Sequence, residues 1–292
     1  LACFKHHIPL LSYYINDEFL YPYKQKIYDE TFECVTDKIF ADNDKQLIEY
    51  HTGASMFPPF QSHAVDHYFR IFFPEMHDRE IPLEIKNYPK FPVEKIDISK
   101  YNLPKNYVVF GPAFTKPSCN MPSQTQYELI NYCVKKGYEV VVIGDDYQFD
   151  IKGKNPGTRT TIGTQINQNF FTENVINLLT QTSLPEAIAI MAGAKCFIGP
   201  EGGLMNMCGL TDTPMIIPFT SMSPKTRMPY RHNELGWGVY PVLTGLECEF
   251  CITKAIHVRT GRNVMMECMF DDFKCIDELT FDKFKIQLDK VL

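Results

Sequence analysis

The sequence predicts an α/β protein built on a parallel β-sheet, and three features of residues 107–218 carry that expectation. Short apolar runs of strand length recur at 107–110, 139–143, 175–178, 196–198 and 215–217. Several stop at a glycine: Gly111, Gly144 and Gly199. Amphipathic segments with helical spacing lie between them. Strands that are apolar throughout, alternating with helices, describe a sheet covered on both faces.

The elements follow in chain order. Leu1-Ala2-Cys3-Phe4 reads as a short buried strand, and 29–40 as a strand with its flank. Residues 63–73 read as a helix, because Val65, Tyr68, Phe69 and Phe72 share one face. Pro74, Pro82, Pro89, Pro92 and Pro104 follow. Proline removes backbone donors and restricts its predecessor, so this stretch is a linker or crossover. The expected domains are 1–100 and 101–292. Residues 123–136 then predict a helix with Tyr127, Leu129, Ile130 and Cys133 as its apolar stripe, stopped by Gly137. Ser183, with Glu186 three residues on, has the capping-box pattern. It opens a helix whose core face is Leu184, Ala187, Ile188 and Met191. A further helix is expected over 204–210.

Composition narrows the function classes. Hydrophobic residues make up 45% of the 292 and aromatic residues 13%, enough for real cores. The formal net charge of -6 argues against a nucleic-acid protein working by broad phosphate neutralisation. No apolar run approaches the roughly 20 residues that span a bilayer. No charged n-region leads into an apolar core and cleavage site, so a cytoplasmic location is expected. The first six of the ten cysteines are scattered, mostly in apolar surroundings, as reduced core thiols are.

In an open parallel sheet, ligands bind beyond the carboxyl ends of the strands. Three loops lie there: 111–121, 144–150 and 199–203. The third, Gly199-Pro200-Glu201-Gly202-Gly203, has the strongest logic. Its glycines let a ligand approach the backbone, and the helix start beyond offers unpaired amides to a phosphate. Glu201 would repel a phosphate, so it suits sugar or ribose hydroxyls; as the alternative, it caps the helix. Thr115, Lys116 and Ser118 in the first loop are able to hold phosphate oxygens, and Gly144 opens the second. Arg227, Arg231, His232 and Asn233 either clamp a diphosphate or form a solvated surface.

The run Gly-Pro-Glu-Gly-Gly-Leu-Met-Asn-Met-Cys-Gly-Leu-Thr-Asp-Thr-Pro at 199–214 resembles the donor-site signature of glycosyltransferase family nine, the ADP-heptose:lipopolysaccharide heptosyltransferases. Glu201, Gly202, Gly203 and Asn206 fall in register with the family's acidic residue, small residue, glycine and histidine. Thr213-Pro214 closes the match. Thr182-Ser183-Leu184-Pro185-Glu186 with Ala192-Gly193-Ala194 is similar to the preceding family segment. Lys274-Cys275-Ile276, Leu279-Thr280 and Phe284 resemble the start of its closing helix. The resemblance covers roughly 105–292. It implies the GT-B fold, two Rossmann-like domains facing across a cleft, with the N-terminal one here truncated or atypical.

The resemblance also implies an inverting glycosyltransferase, needing no metal or cofactor. It would move a sugar from a nucleotide-diphosphate sugar to a glycan or glycolipid acceptor, with peripheral membrane contact. The donor residues it implies are Thr115, Lys116, Ser118, Gly144, Glu201, Gly202, Gly203, Asn206, Arg231 and His232; His51 and Asp66 are acceptor-contact candidates. Two positions depart from the family: Asn206 replaces its histidine, and Cys119 stands where a basic residue is usual. The family's opening glycine-rich loop, with the acidic residue assigned as general base, has no counterpart, so the base is expected upstream of Leu1. These departures keep open a non-catalytic sugar-nucleotide or glycan-binding relative. A GT-B-fold epimerase is the other alternative. Finally, the spacing of Cys248, Cys251, Cys268 and Cys275 fits either a structural four-thiolate zinc site or a reduced or partly disulfide-bonded cluster.

Overall fold

The structure is a computed structural model that describes residues 63, 65–66, 80–112, 117–145, 147–149, 159–161, 173–254, 268, 270 and 272–292. The strands expected at 1–4 and 29–40 lie outside the described residues, as does most of the helix expected over 63–73. The chain divides into two compact units. Residues 1–89 and 225–235 make the first, and residues 90–224 and 236–292 the second.

In chain order the described elements are α1 (Leu83–Lys86), β1 (Tyr107–Phe110), α2 (Ser123–Lys135), β2 (Glu139–Val142), β3 (Tyr147–Phe149), β4 (Arg159–Thr161), β5 (Val175–Asn177), α3 (Leu184–Ala192), β6 (Phe197–Ile198), α4 (Gly203–Cys208), β7 (Met215–Phe219), α5 (Pro224–Arg227), β8 (Tyr230–Arg231), β9 (Glu234–Leu235), β10 (Val239–Leu243), α6 (Lys274–Asp277) and α7 (Phe281–Val291).

The second unit holds a six-stranded sheet in the order β10-β7-β6-β1-β2-β5, with every neighbouring pair parallel. Its centre is apolar on both faces, as the uninterrupted runs predict. Val108, Val109, Phe110, Val140, Val141, Val142, Phe197, Ile198, Met215, Ile216 and Ile217 are all fully buried. Pro218 is tolerated inside β7 because β6 pairs only with Met215 and Ile216, so no partner there needs its missing N–H. The edge strand β10 was not visible in the sequence, where Pro241 weakens the strand pattern. A separate antiparallel pair joins β3 to β4.

Helix α2 buries Thr125, Gln126, Leu129, Ile130 and Cys133. Tyr127, expected in the apolar stripe, is instead exposed. The positions at i, i+3, i+4 and i+7 are 126, 129, 130 and 133, and Tyr127 falls one step off that face. Gly137, at φ +87°, ends the helix in the left-handed region as expected. Helix α3 buries Ala187 through Met191 but leaves Leu184 half-buried. At its start, the Ser183 backbone N–H and hydroxyl each donate to Glu186 Oε2 at 2.8 Å, so the capping pattern is realised. Helix α7 seats Phe284 and Leu288, both fully buried, against α2 and β10. Each such side chain contributes about 1.5–3 kcal/mol by leaving water.

The first unit, among its described residues, is organised by polar contacts. Lys86 Nζ lies 2.8 Å from Asp66 Oδ1 and 5.3 Å from the centre of the Tyr230 ring. Tyr88 N–H donates to the Tyr230 carbonyl at 2.8 Å, extending a bridge between Asn87 and Tyr230. The β8–β9 hairpin turns through His232 and Asn233, both at positive φ (53° and 61°), as a two-residue turn of this hand requires.

Candidate functional site

The order of the six strands locates the site. From β1 the chain steps outward to β2 and β5, then returns to lay β6 against the other side of β1 and continues to β7 and β10. The direction of winding therefore reverses between β1 and β6. At such a reversal the two following loops part and open a crevice beyond the strand ends. Those loops are the first and third of the three candidates.

Their approach is close enough to require glycine. Gly111 N–H donates to the Ile198 carbonyl at 2.9 Å. A Cβ on Gly199 would stand 2.4 Å from Phe197 Cζ and 3.2 Å from the Gly111 carbonyl oxygen; one on Gly111 would stand 2.8 Å from Leu204 Cδ1. Gly203 differs: among the described residues nothing lies within 4 Å of where its Cβ would be. Gly199 and Gly111 are thus fixed by packing, whereas Gly203 leaves the loop face open. Gly144, at φ +114°, opens the loop after β2, and a Cβ there would meet Leu204 Cδ1 at 3.2 Å.

Glu201 is buried, 8% exposed, although it follows a strand end at the carboxyl edge of the sheet. The Cys119 thiol donates to its Oε2 at 4.0 Å, a sulfur hydrogen bond at the long end of the range. Cys119 ends a single 3-10 turn, Pro117–Cys119, in the loop after β1. Cys119, expected from the sequence to stand where a basic residue is usual, thus faces the carboxylate with its thiol. Asn206 is half-buried on α4, its backbone N–H donating to the Gly202 carbonyl at 3.0 Å. Helix α4 runs Gly203–Cys208, shorter than the expected 204–210 and one residue earlier at its start.

Two residues that the sequence did not single out join the site. Thr220 and Ser221 follow β7 and are buried. Ser221 Oγ lies 3.0 Å from Ser118 Oγ, and Thr220 Oγ1 donates to the Ser118 carbonyl at 2.5 Å. They tie the loop after β1 to the end of β7. A Thr-Ser pair at the end of an apolar run was the available signal. Thr115 and Lys116 lie outside the described residues, as does His51. Arg231 and His232 belong to the first unit; Arg231 is buried in β8, and His232 occupies the hairpin turn. Asp66, also in the first unit, is engaged by Lys86.

The thiols of Cys248, Cys251, Cys268 and Cys275 are reduced and half-buried. Burial pushes the Cys275 thiol up to about 12, and the neighbouring thiols of Cys251, Cys268, Cys248 and Cys119 push it the same way. Burial likewise raises Cys248, with Cys268 adding to it. Yet among the described residues no three His, Cys, Asp or Glu side chains are placed to hold a metal ion. Among the same residues, no helix is long and apolar enough to cross a membrane.

Residues 45–241, about two thirds of the chain, match the sequence profile of glycosyltransferase family 9 (heptosyltransferase). The chain belongs to glycosyltransferase family 9. No curated protein matches it at the sequence level. Among solved structures it is similar to the dodecameric iron-containing heptosyltransferase TibC in complex with ADP-D-beta-D-heptose. That match has 15% identity, covers 69% of this chain and 48% of that one, and has a TM-score of 0.51. TibC from enterotoxigenic E. coli H10407 gives 16% identity over the same shares, TM-score 0.51. The E. coli ADP-heptose lps heptosyltransferase II gives 17% identity, 78% and 63% coverage, and TM-score 0.47. The chain spans about half the length of the TibC structures. At these identities the TibC likeness is one of fold. The fold class is α/β of the GT-B type, and the six-stranded parallel sheet is its described core.

Proposed function

We propose that this chain binds the donor in an inverting glycosyltransferase, which moves a sugar from a nucleotide-diphosphate sugar to a glycan or glycolipid acceptor. The observation that carries this reading is the winding reversal between β1 and β6, with buried Glu201 beside the crevice it opens. Glu201 accepts hydrogen bonds from donor hydroxyls, and Gly203 leaves the loop face open to them. Asn206 adds an uncharged hydrogen-bonding side chain from α4. Inversion follows when an acceptor hydroxyl attacks the anomeric carbon opposite the leaving diphosphate. A cytoplasmic setting goes with this reading, since the first six of the ten cysteines stand in mostly apolar stretches of sequence, as reduced core thiols do.

Binding of a panel of nucleoside diphosphates and their sugars, followed by saturation-transfer NMR, tests the reading. The wild-type chain should bind at least one diphosphate sugar, and Glu201→Ala should weaken it about tenfold to a hundredfold, as loss of a buried acceptor does. Absence of nucleotide binding in the wild-type protein would sink the proposal.

A second reading has one observation behind it. Cys119 places an uncharged thiol on Glu201 where the family usually has a cation to steady the leaving diphosphate. A sugar-nucleotide-binding relative without transferase activity is consistent with that exchange. Binding without turnover, with a range of glycan and glycolipid acceptors present, would favour it.

A further inference from the structure

The loop after β1, whose Cys119 reaches Glu201, carries next to that cysteine a buried polar group without a partner among the described residues. Asn120 is 4% exposed, and among the described residues neither its Oδ1 nor its Nδ2 has a hydrogen-bond partner. An amide buried in this way loses its hydration and recovers nothing in exchange. Native proteins keep few such groups, and each calls for a reason. Local structure supplies none: Asn120 caps no helix, since the next one, α2, has Pro122 as its N-cap. Its flanks are fully engaged. Cys119 holds Glu201, and the Met121 carbonyl accepts from Gln126 Nε2 at 2.8 Å.

What surrounds Asn120 along the chain selects the ligand. The loop offers Ser118, paired with Ser221, then the Cys119 thiol and, through it, the Glu201 carboxylate. A phosphate beside Glu201 and an amide oxygen would be repelled. A neutral, hydroxyl-rich group would meet acceptors at Glu201 and both a donor and an acceptor at Asn120.

We propose that Asn120 reads the transferred sugar, its Oδ1 accepting from one sugar hydroxyl while its Nδ2 donates to a neighbouring sugar oxygen. Asn120 is then a specificity-determining residue, and its missing partners arrive with the donor. A site built to hydrogen-bond a hydroxyl discriminates strongly against ligands lacking it, because its own groups are left unpaired.

This inference rests on the donor-binding reading above, and one titration series separates the two. The full chain is titrated calorimetrically with UDP, ADP and GDP, and with UDP-glucose, UDP-N-acetylglucosamine, ADP-glucose and GDP-mannose. The quantity read is the gain in affinity of each sugar form over its bare diphosphate. Asn120→Leu, close in shape, should leave the bare diphosphate within about threefold of wild type and remove about tenfold or more of the sugar gain. The same variant without ligand should unfold at a temperature equal to or above wild type, because two orphaned polar atoms have been removed.

A variant that loses stability or fails to fold shows that Asn120 is structural and overturns the inference. So does one that weakens bare diphosphate and sugar form equally, which would place Asn120 against the nucleotide. A wild-type protein that binds a diphosphate but gains nothing from any sugar also overturns it and leaves the nucleotide reading standing. A wild-type protein that binds none of the seven ends both.

Discussion

The two compact units are held together by different physics. In the second, fully buried Val, Ile, Phe and Met side chains line a parallel sheet and a helix closes over its end. In the first, the described contacts are a neutral histidine, an ion pair, a cation over an aromatic ring and a pair of asparagines. The apolar unit gains from area, which is insensitive to pH. The polar unit depends on protonation states and on partners distant in sequence, such as Asp66, Lys86 and Tyr230. The first should therefore yield to acid, and the second to cavities.

The sharpest break is a cavity beneath the site. Phe197 is fully buried on β6, and its ring lies under both Gly111 and Gly199. Phe197→Ala should cost about 3–5 kcal/mol in the second unit, measured by denaturant unfolding. It should also loosen the glycine contact between the two loops and weaken any donor bound there. A loss below about 1 kcal/mol would show that the sheet does not depend on this ring.

The same contrast explains what was legible in the sequence. Strands β1, β2, β6 and β7 were visible because burial on both faces demands unbroken apolar runs, and the residues alone carry that signal. The loop at Glu201 was visible because two adjacent glycines before a helix are a local pattern. Edge strand β10 was hidden by Pro241, which an edge tolerates. Hairpin β8–β9 was hidden because His232 and Asn233 take positive φ without a glycine. Asn120, Thr220 and Ser221 were hidden for a deeper reason: polar residues after strands normally face water, and only the assembled loops show these three to be buried. Cys119 was noticed as a departure, but its contact with Glu201 spans 82 positions and has no local signature.

Acid should distinguish the units next. Burial is the main force that lowers His63 from its ordinary 6.5 to about 4. The geometry agrees with a neutral ring: Nδ1 accepts from the Val65 N–H at 3.1 Å, leaving the Nε2–H to donate to the Met228 carbonyl at 2.8 Å. A depressed histidine means that the unfolded chain binds the proton more readily. Its contribution is whole above pH 6.5, declines as pH falls below that value, and is lost by about pH 4, amounting to about 3 kcal/mol. Unfolding followed from pH 7 to pH 4 should show this slope, and His63→Gln, whose amide does not titrate, should flatten it. An equal slope in both proteins would remove His63 as the acid-sensitive element.

The smallest expected effect lies at the start of α3, where the apolar unit relies on a polar device. Partial burial acts to raise the Glu186 carboxyl, but its bonds to Lys100 and to the Ser183 backbone and hydroxyl prevail and hold it at about 2. Lys100 Nζ is 2.6 Å from Oε1, and the two Ser183 donors share Oε2. Ser183→Ala removes the hydroxyl and keeps the backbone donor, so it should cost about 1 kcal/mol. Glu186→Gln should keep the two Ser183 hydrogen bonds on its amide oxygen and lose the bond and attraction to the exposed Lys100, a few tenths of a kcal/mol. Chemical denaturation of the two variants orders these effects. If Glu186→Gln proves the more damaging, the ion pair and not the cap sets the start of α3, and the two units differ less than their cores suggest.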